Sequence, residues 1–184
     1  MNIRNRLVEY LAKRSAKKHS VIVRILTTLA GATLLAAGIP ALIFLSGKFF
    51  YKTSLLNHQA SVAASIVCFI LGVPWMLSAV FWQLVRGKGT PVPVVPPKEF
   101  LQNGPYRYVR NPMILGFFLY VLGWAFLFNK IGSFLAAAVI IAFLLVEVKI
   151  IEEPELERRF GNAYREYKKQ IPFIIPKLRS KKTE

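Results

Sequence analysis

Gly104-Pro-Tyr-Arg-Tyr-Val-Arg-Asn-Pro-Met113 is a dense polar cluster set directly against a long apolar run that begins at Ile114. A second cluster, Glu152-Glu153-Pro154-Glu155, closes that apolar region. Everything between the two reads as membrane helix. Folding the intervening segment back on itself therefore returns both clusters to one membrane surface, where they can build a joint small-molecule site. Pro112 to about Phe128 makes one apolar helix, Asn129-Lys130-Ile131-Gly132 a tight turn, and Ser133 to about Ile151 a second helix. So short a connection implies antiparallel neighbours.

Working outward, the chain has 184 residues of which 54% are hydrophobic, too apolar for an ordinary soluble domain of this size. Two further runs approach or exceed the roughly 20 residues that cross the hydrocarbon as a helix. The first extends from Val21 to about Leu45, with small residues at Ala32, Ala36 and Pro40 and at Thr33, Ala37 and Ala41, a face that lets helices approach closely. The second extends from about Gln59 to Leu84 and contains Gly72 and Pro74. The expected fold is all-α: a polytopic membrane protein of about four transmembrane helices, the last two forming a helical hairpin, followed by a C-terminal amphipathic helix.

Residues 1–20 mix six cations with Leu7, Val8, Tyr10 and Leu11, a basic amphipathic segment suited to a membrane surface rather than a cleaved leader. Residues 21–85 form the first two spans and 86–176 the core that carries both polar clusters. Within it, Gly87-Lys88-Gly89 opens a loop in which Pro91, Pro93, Pro96 and Pro97 force an extended path. After Pro154, an N1 proline, Leu156, Phe160, Tyr164, Tyr167 and Ile171 recur at helical spacing among basic residues. Ile171-Pro172-Phe173-Ile174-Ile175-Pro176 then ends that helix and folds back as a lid before a basic tail, 177–184.

Four spans divide the 25 lysines and arginines 22 to 3 between the two sides. Cations collect on cytoplasmic loops, so both termini and the site are expected to be cytoplasmic, with anionic lipid facing the basic surface. The formal charge of +16 is accounted for in this way. Nucleic acid is not an expected partner, since no recognition fold is left once the spans are removed.

The inventory of reactive groups narrows the chemistry. Cys68 is the one cysteine, His19 and His58 are the two histidines, and all nine acidic residues are glutamates. A Ser-His-Asp triad is excluded, and no metal site is expected. Arg110 offers a planar fork for a carboxylate, with Asn111 and the helix entrance at Pro112 beside it. The bland alternative makes Arg107 and Arg110 interfacial cations with Tyr106 and Tyr108 as belt aromatics. Glu152 and Glu153 either accept hydrogen bonds from a ribose or ammonium group or pair with Lys149 or Arg110. Glu147 lies deeper in the last apolar run, where an ionisable group is a candidate functional residue.

Taken together, Gly87-Lys88-Gly89-Thr90-Pro91, the 104–113 cluster, Glu152-Glu153-Pro154-Glu155-Leu156, Phe160-Gly161, Tyr164, Tyr167 and Ile171-Pro172 resemble the isoprenylcysteine carboxyl methyltransferase and phospholipid methyltransferase superfamily. The resemblance implies an integral membrane enzyme that uses S-adenosylmethionine as methyl donor and takes a lipophilic acceptor from the bilayer. It implies cofactor-binding roles for Gly87, Gly89, Tyr106, Arg110, Asn111, Pro112, Glu152 and Glu153, and catalytic roles for Arg110, Asn111 and Glu147. Asn111 stands where the family's Arg-His-Pro element carries histidine. Prenylcysteine carboxylate, phospholipid amine and a small lipophilic molecule all remain open as acceptors. Two other readings stand beside it: a fold-related membrane reductase using NADPH, and a four-helix transporter or scaffold without chemistry.

Overall fold

A computed structural model describes residues 20–88 and 99–176, together with Arg6, Glu9 and Tyr10. The amphipathic reading of 1–20, the proline loop with Gly89, and the basic tail 177–184 lie outside the described residues. Among those described there is helix and no strand. Helix α1 (Val21–Thr33) runs through a π turn (Leu34–Gly38) into α2 (Ile39–Phe49). Helix α3 is His58–Val85, α4 is Pro112–Phe128 and α5 is Ile131–Glu147. A second π turn (Val148–Glu152) joins α5 to α6 (Glu153–Phe160), and α7 is Asn162–Gln170.

Three of the resulting rods, Ile25–Phe49, His58–Val85 and Ile131–Phe160, are long and apolar enough to cross a membrane, and α4 is a shorter apolar helix of 17 residues. Each π turn sits just ahead of a proline, Pro40 or Pro154. Proline has no N–H to give and its ring crowds the carbonyl four residues back, so a widened turn lets the rod continue. The amides of Ile39 and Glu153 accordingly reach back five residues, to the carbonyls of Leu34 and Val148. Pro154 thus takes the second position of α6, and α6 continues the fourth rod instead of starting a separate surface helix. The amphipathic segment is broken again at Gly161, whose φ of +55° suits glycine and where a Cβ would meet open space.

The rods alternate in direction. Helices α3 and α4 cross at Gly72 and Gly116, where a Cβ on Gly72 would stand 2.7 Å from Leu119 Cβ and 2.9 Å from the Gly116 carbonyl oxygen. Further contacts, Ser61 donating to the Phe126 carbonyl and Trp82 packing on Gly104, fix the antiparallel register. The small-residue face expected on the first span is not used this way, because Ala32, Thr33, Ala36 and Ala37 are exposed. Close approach occurs instead at Gly72 with Gly116 and where Gly47 meets Ser133. The Leu35 carbonyl in the first π turn accepts a 2.8 Å hydrogen bond from Tyr120, so a group loosened by the turn is still satisfied inside the bundle.

The hairpin turn is tighter than the sequence implied, since α5 already begins at Ile131. Asn129 adopts the left-handed conformation (φ +49°), and its side chain donates to the Leu56 carbonyl at 2.7 Å and accepts from the Leu55 and Leu56 amides. Ile43, Met76, Phe117, Tyr120, Val121, Ala125 and Ala137 form the buried core. The outside stays apolar, with Ile66, Ile70, Phe81, Val139 and Phe143 exposed, as expected where the surroundings are hydrocarbon. This topology gathers the end of α3, the 104–111 segment, the start of α4 and the end of α5 at one end of the bundle.

Candidate active site

At that end a 3₁₀ turn, Gly104–Arg107, leads through Tyr108, Val109 and Arg110 to Asn111, which precedes α4. Gly104 has φ +61°, and any Cβ there would collide with the Trp82 indole, so this turn requires glycine. The turn buries Tyr106 and Val109 and leaves Arg107 exposed, its guanidinium 4.9 Å from the Tyr108 ring centre. The two arginines therefore part company: Arg107 is a surface cation and Arg110 points inward.

Arg110 Nη1 stands 2.9 Å from Glu153 Oε1, with the side chains only 8% and 3% exposed. The guanidinium N–H is not aimed along that contact. Arg110 Nε and Nη1 and Glu153 Oε1 are all buried without a hydrogen bond among the described residues. Glu153 Oε2 faces Lys168 at 3.3 Å and Lys149 at 3.6 Å. One carboxylate thus holds three cations drawn from three parts of the chain. Unsatisfied donors and acceptors at such depth are costly unless another molecule completes them.

Adjacent glutamates on a helix point in different directions, and the two here diverge. Glu152 has no ion pair or hydrogen bond among the described residues, and its charged neighbours are the carboxylates of Glu147, Glu155 and Glu153. It is crowded by protein atoms yet keeps some exposed surface, as a group on a crevice wall does. Glu147 and Glu152 are brought together by the π turn, in which residues five apart share a face. Glu147 is half-buried and has no ion pair among the described residues. Glu155 is buried and pairs with Arg159 at 3.0 Å, one turn along α6.

The C-terminal segment 171–176 lies over this cluster. The amides of Arg110 and Asn111 donate to the carbonyls of Pro172 and Phe173 at 2.9 and 3.3 Å, and Asn111 Nδ2 reaches the Phe173 carbonyl at 3.4 Å. The Phe173 ring centre is 4.1 Å from Lys149 Nζ and 5.7 Å from Arg110 Cζ. Beneath it, Tyr167 donates a 2.6 Å hydrogen bond to the Tyr106 carbonyl, and Phe100 packs against Phe160, Tyr164 and Tyr167. Burial holds the hydroxyls of Tyr106, Tyr164 and Tyr167 above their ordinary value, with the Glu152 charge adding to the rise at Tyr106.

The structure joins Arg110 to Glu153 directly and ties Asn111, which precedes Pro112, to the strap at Phe173, while Glu152 neighbours Tyr106 and Glu147. Gly87 follows the end of α3, where its amide donates to the Trp82 carbonyl and its own carbonyl accepts from the Glu99 amide. Sequence reasoning gave Lys168 no part in the site and named Phe173 only within a lid. The helical spacing of Lys168 from Tyr164 hinted at the first, whereas a backbone strap around Phe173 leaves no side-chain signature.

A bundle of apolar rods with a buried polar cluster under a strap at one end defines a helical membrane protein. The sequence model of the phospholipid methyltransferase family matches residues 60–163, more than half of the chain, and the protein belongs to that family. Methanethiol S-methyltransferase 1 of Bradyrhizobium diazoefficiens is 39% identical over 84 residues, 46% of this chain and 28% of the relative. The protein-S-isoprenylcysteine O-methyltransferase of Schizosaccharomyces pombe is 34% identical over 74 residues, 40% of this chain and 31% of the relative. Methanethiol S-methyltransferase of Crocosphaera subtropica is 31% identical over 80 residues, 44% and 30% of the respective chains. The chain spans less than a third of the length of these relatives. No solved structure matches it.

Proposed function

We propose that this protein transfers a methyl group from S-adenosylmethionine to a lipophilic acceptor that enters from the bilayer, at the end of the bundle where the Arg110–Glu153 pair lies. The observation that carries this reading is the buried Arg110–Glu153 ion pair, in which Arg110 Nε makes no hydrogen bond among the described residues and the 2.9 Å Nη1–Oε1 contact is not aligned as a hydrogen bond. The two groups fit the donor: a guanidinium fork takes a carboxylate, and a glutamate oxygen accepts from a ribose hydroxyl or an ammonium. The relatives named as methyltransferases support the same chemistry.

When bound, the donor supplies an activated methyl group on a sulfonium. The protein's task is then alignment and a dry site. Phe173 and the backbone of 172–173 roof the cluster, Asn111 ties the roof to the start of α4, and Lys149 and Lys168 hold Glu153 in place. Asn111 is engaged with the Phe173 carbonyl, so its role is to position the strap, with no proton transfer required of it. The basic residues at this end support a cytoplasmic position for it, facing anionic lipid. Incubating the purified protein with methyl-labelled S-adenosylmethionine and a membrane lipid extract tests the reading. Label in a lipophilic fraction is expected; the absence of label from every fraction, with donor binding absent too, refutes it.

A further inference from the structure

At the end of the bundle away from the site, α2 and α5 leave a groove of about 370 Å³ between them. On its buried side the helices touch: Ser133 donates to the Ile43 carbonyl at 3.0 Å, and a Cβ on Gly47 would strike the Ser133 hydroxyl. On its exposed side Ser46 of α2 and Gly132 and Ala136 of α5 are too small to fill the space that Leu42 and Val139 border. Leu42 and Val139 are exposed, so the groove faces the surrounding hydrocarbon. From Gly132 to Ile140 it follows α5 for about 12 Å, close to the depth of one leaflet of a ~30 Å hydrocarbon layer.

The mouth of the groove carries positive charge. Phe50 and Tyr51 stand there as interfacial aromatics. The carbonyls of Tyr51 and Thr53 accept from the amides of Gly132 and Ile131 at 3.2 and 3.0 Å, which pins the connection carrying Lys52 to the one carrying Lys130. Lys130 Nζ donates to Ser54 Oγ at 3.0 Å, and neither lysine has an ion pair among the described residues. Lys48, also exposed, adds a third cation nearby. The chain has no aspartate, and no glutamate occurs between Glu9 and Glu99 or between Glu99 and Glu147, so neither connection at this end holds a carboxylate. Cations without a counter-charge above an apolar slot match a molecule that is anionic at its head and hydrocarbon below. A zwitterionic head group would bring an ammonium among the same cations.

We infer that this groove holds one acyl chain of an anionic phospholipid from the leaflet opposite the site, its phosphate lying against Lys52 and Lys130. The lipid is a bound ligand and not the methyl acceptor, since the mouth at Gly132 stands about 22 Å along α5 from Glu147. The chain fills the contact between α2 and α5 that the small residues leave open. This holds whether or not the methyl-transfer reading does.

The test uses the purified full chain in phosphatidylcholine nanodiscs carrying a trace of phosphatidylglycerol or of phosphatidylcholine with a photoreactive diazirine in one acyl chain, labelled peptides being read by mass spectrometry. Each lysine beside an anionic head group contributes about a fivefold gain, so phosphatidylglycerol is expected to label the peptides holding Leu42 and Val139 at least about tenfold more than phosphatidylcholine does. The exposed α3 surface at Ile66 and Ile70 is expected to show no such preference. Lys52→Gln combined with Lys130→Gln is expected to abolish the preference, and Ala136→Phe, which fills the groove, to abolish the labelling, while label at the site end stays as in wild type. Equal labelling by the two lipids, or label spread evenly over Ile66 and Ile70 as well, overturns the inference in favour of ordinary boundary lipid. A dimer by light scattering that Ala136→Phe reduces to a monomer overturns it in favour of a second copy of the chain. Should the variants not fold, the contrast between the two lipids on the wild type decides.

Discussion

Removing the two halves of the buried Arg110–Glu153 pair should have unequal consequences. At 2.9 Å and an effective dielectric near 20, the attraction between them is roughly 6 kcal/mol before desolvation is charged against it. Glu153 has other partners: Lys168 at 3.3 Å and Lys149 at 3.6 Å, which are 38% and 49% exposed and therefore screened. After Arg110→Gln the carboxylate keeps those two cations, and a loss of about 1–2 kcal/mol is expected. After Glu153→Gln the guanidinium, 8% exposed, has no carboxylate left among its described ion pairs, and a buried charge stripped of its partner costs about 3–5 kcal/mol. Thermal unfolding in one detergent should show Glu153→Gln as the less stable variant, with the double variant less harmful than the sum of the singles. Equal losses, a larger loss for Arg110→Gln, or strict additivity would refute the assignment of this pair.

Three further outcomes follow from the geometry. Gly104→Ala, with φ +61° and the Trp82 indole in the way, should destabilise the protein by more than about 3 kcal/mol, whereas Gly161→Ala, with φ +55° and open space, should cost only about 1–2 kcal/mol of backbone strain; paired denaturation curves check this. Phe173→Ala should remove the ring from Lys149 and Arg110 and loosen the strap, so that the amides of Arg110 and Asn111 exchange with deuterium faster than in wild type while those of α3 do not. The raised tyrosines carry a sign that can be checked. Because Tyr106, Tyr164 and Tyr167 stay protonated in the fold, the unfolded chain binds fewer protons once pH passes the ordinary phenol value near 10. Their contribution is constant below that pH and stability falls above it, so tyrosinate absorbance from these residues should appear together with unfolding and not before.

What the residues announced and what they concealed divide along physical lines. The helix from Pro112 to Phe128 was readable because its proline start and its left-handed asparagine end are local signals. The meeting of Arg110 with Glu153 was readable because a hairpin of apolar helices leaves little freedom in where its two ends lie. The small-residue face of the first span misled, since spacing alone does not say which side of a helix meets a neighbour; Gly72 and Gly116 were visible only as interruptions until their backbones were seen to touch. The π turns before Pro40 and Pro154 went unread because proline usually ends a helix, and only packing along the whole rod repays the widened turn. Backbone pairing between 110–111 and 172–173 carries no side-chain code, so the sequence offered a lid at Ile171–Pro176 without saying what it would cover.

Calorimetric titration of the purified protein in nanodiscs with S-adenosylhomocysteine, run beside NADPH, bears most directly on the role of the Arg110–Glu153 cluster. One saturable site per chain is expected for S-adenosylhomocysteine, weakened at least about tenfold in Arg110→Gln, which takes a charge-assisted contact from the ligand. NADPH is expected to give no heat. Binding of NADPH without S-adenosylhomocysteine, or S-adenosylhomocysteine affinity indifferent to Arg110, would contradict it.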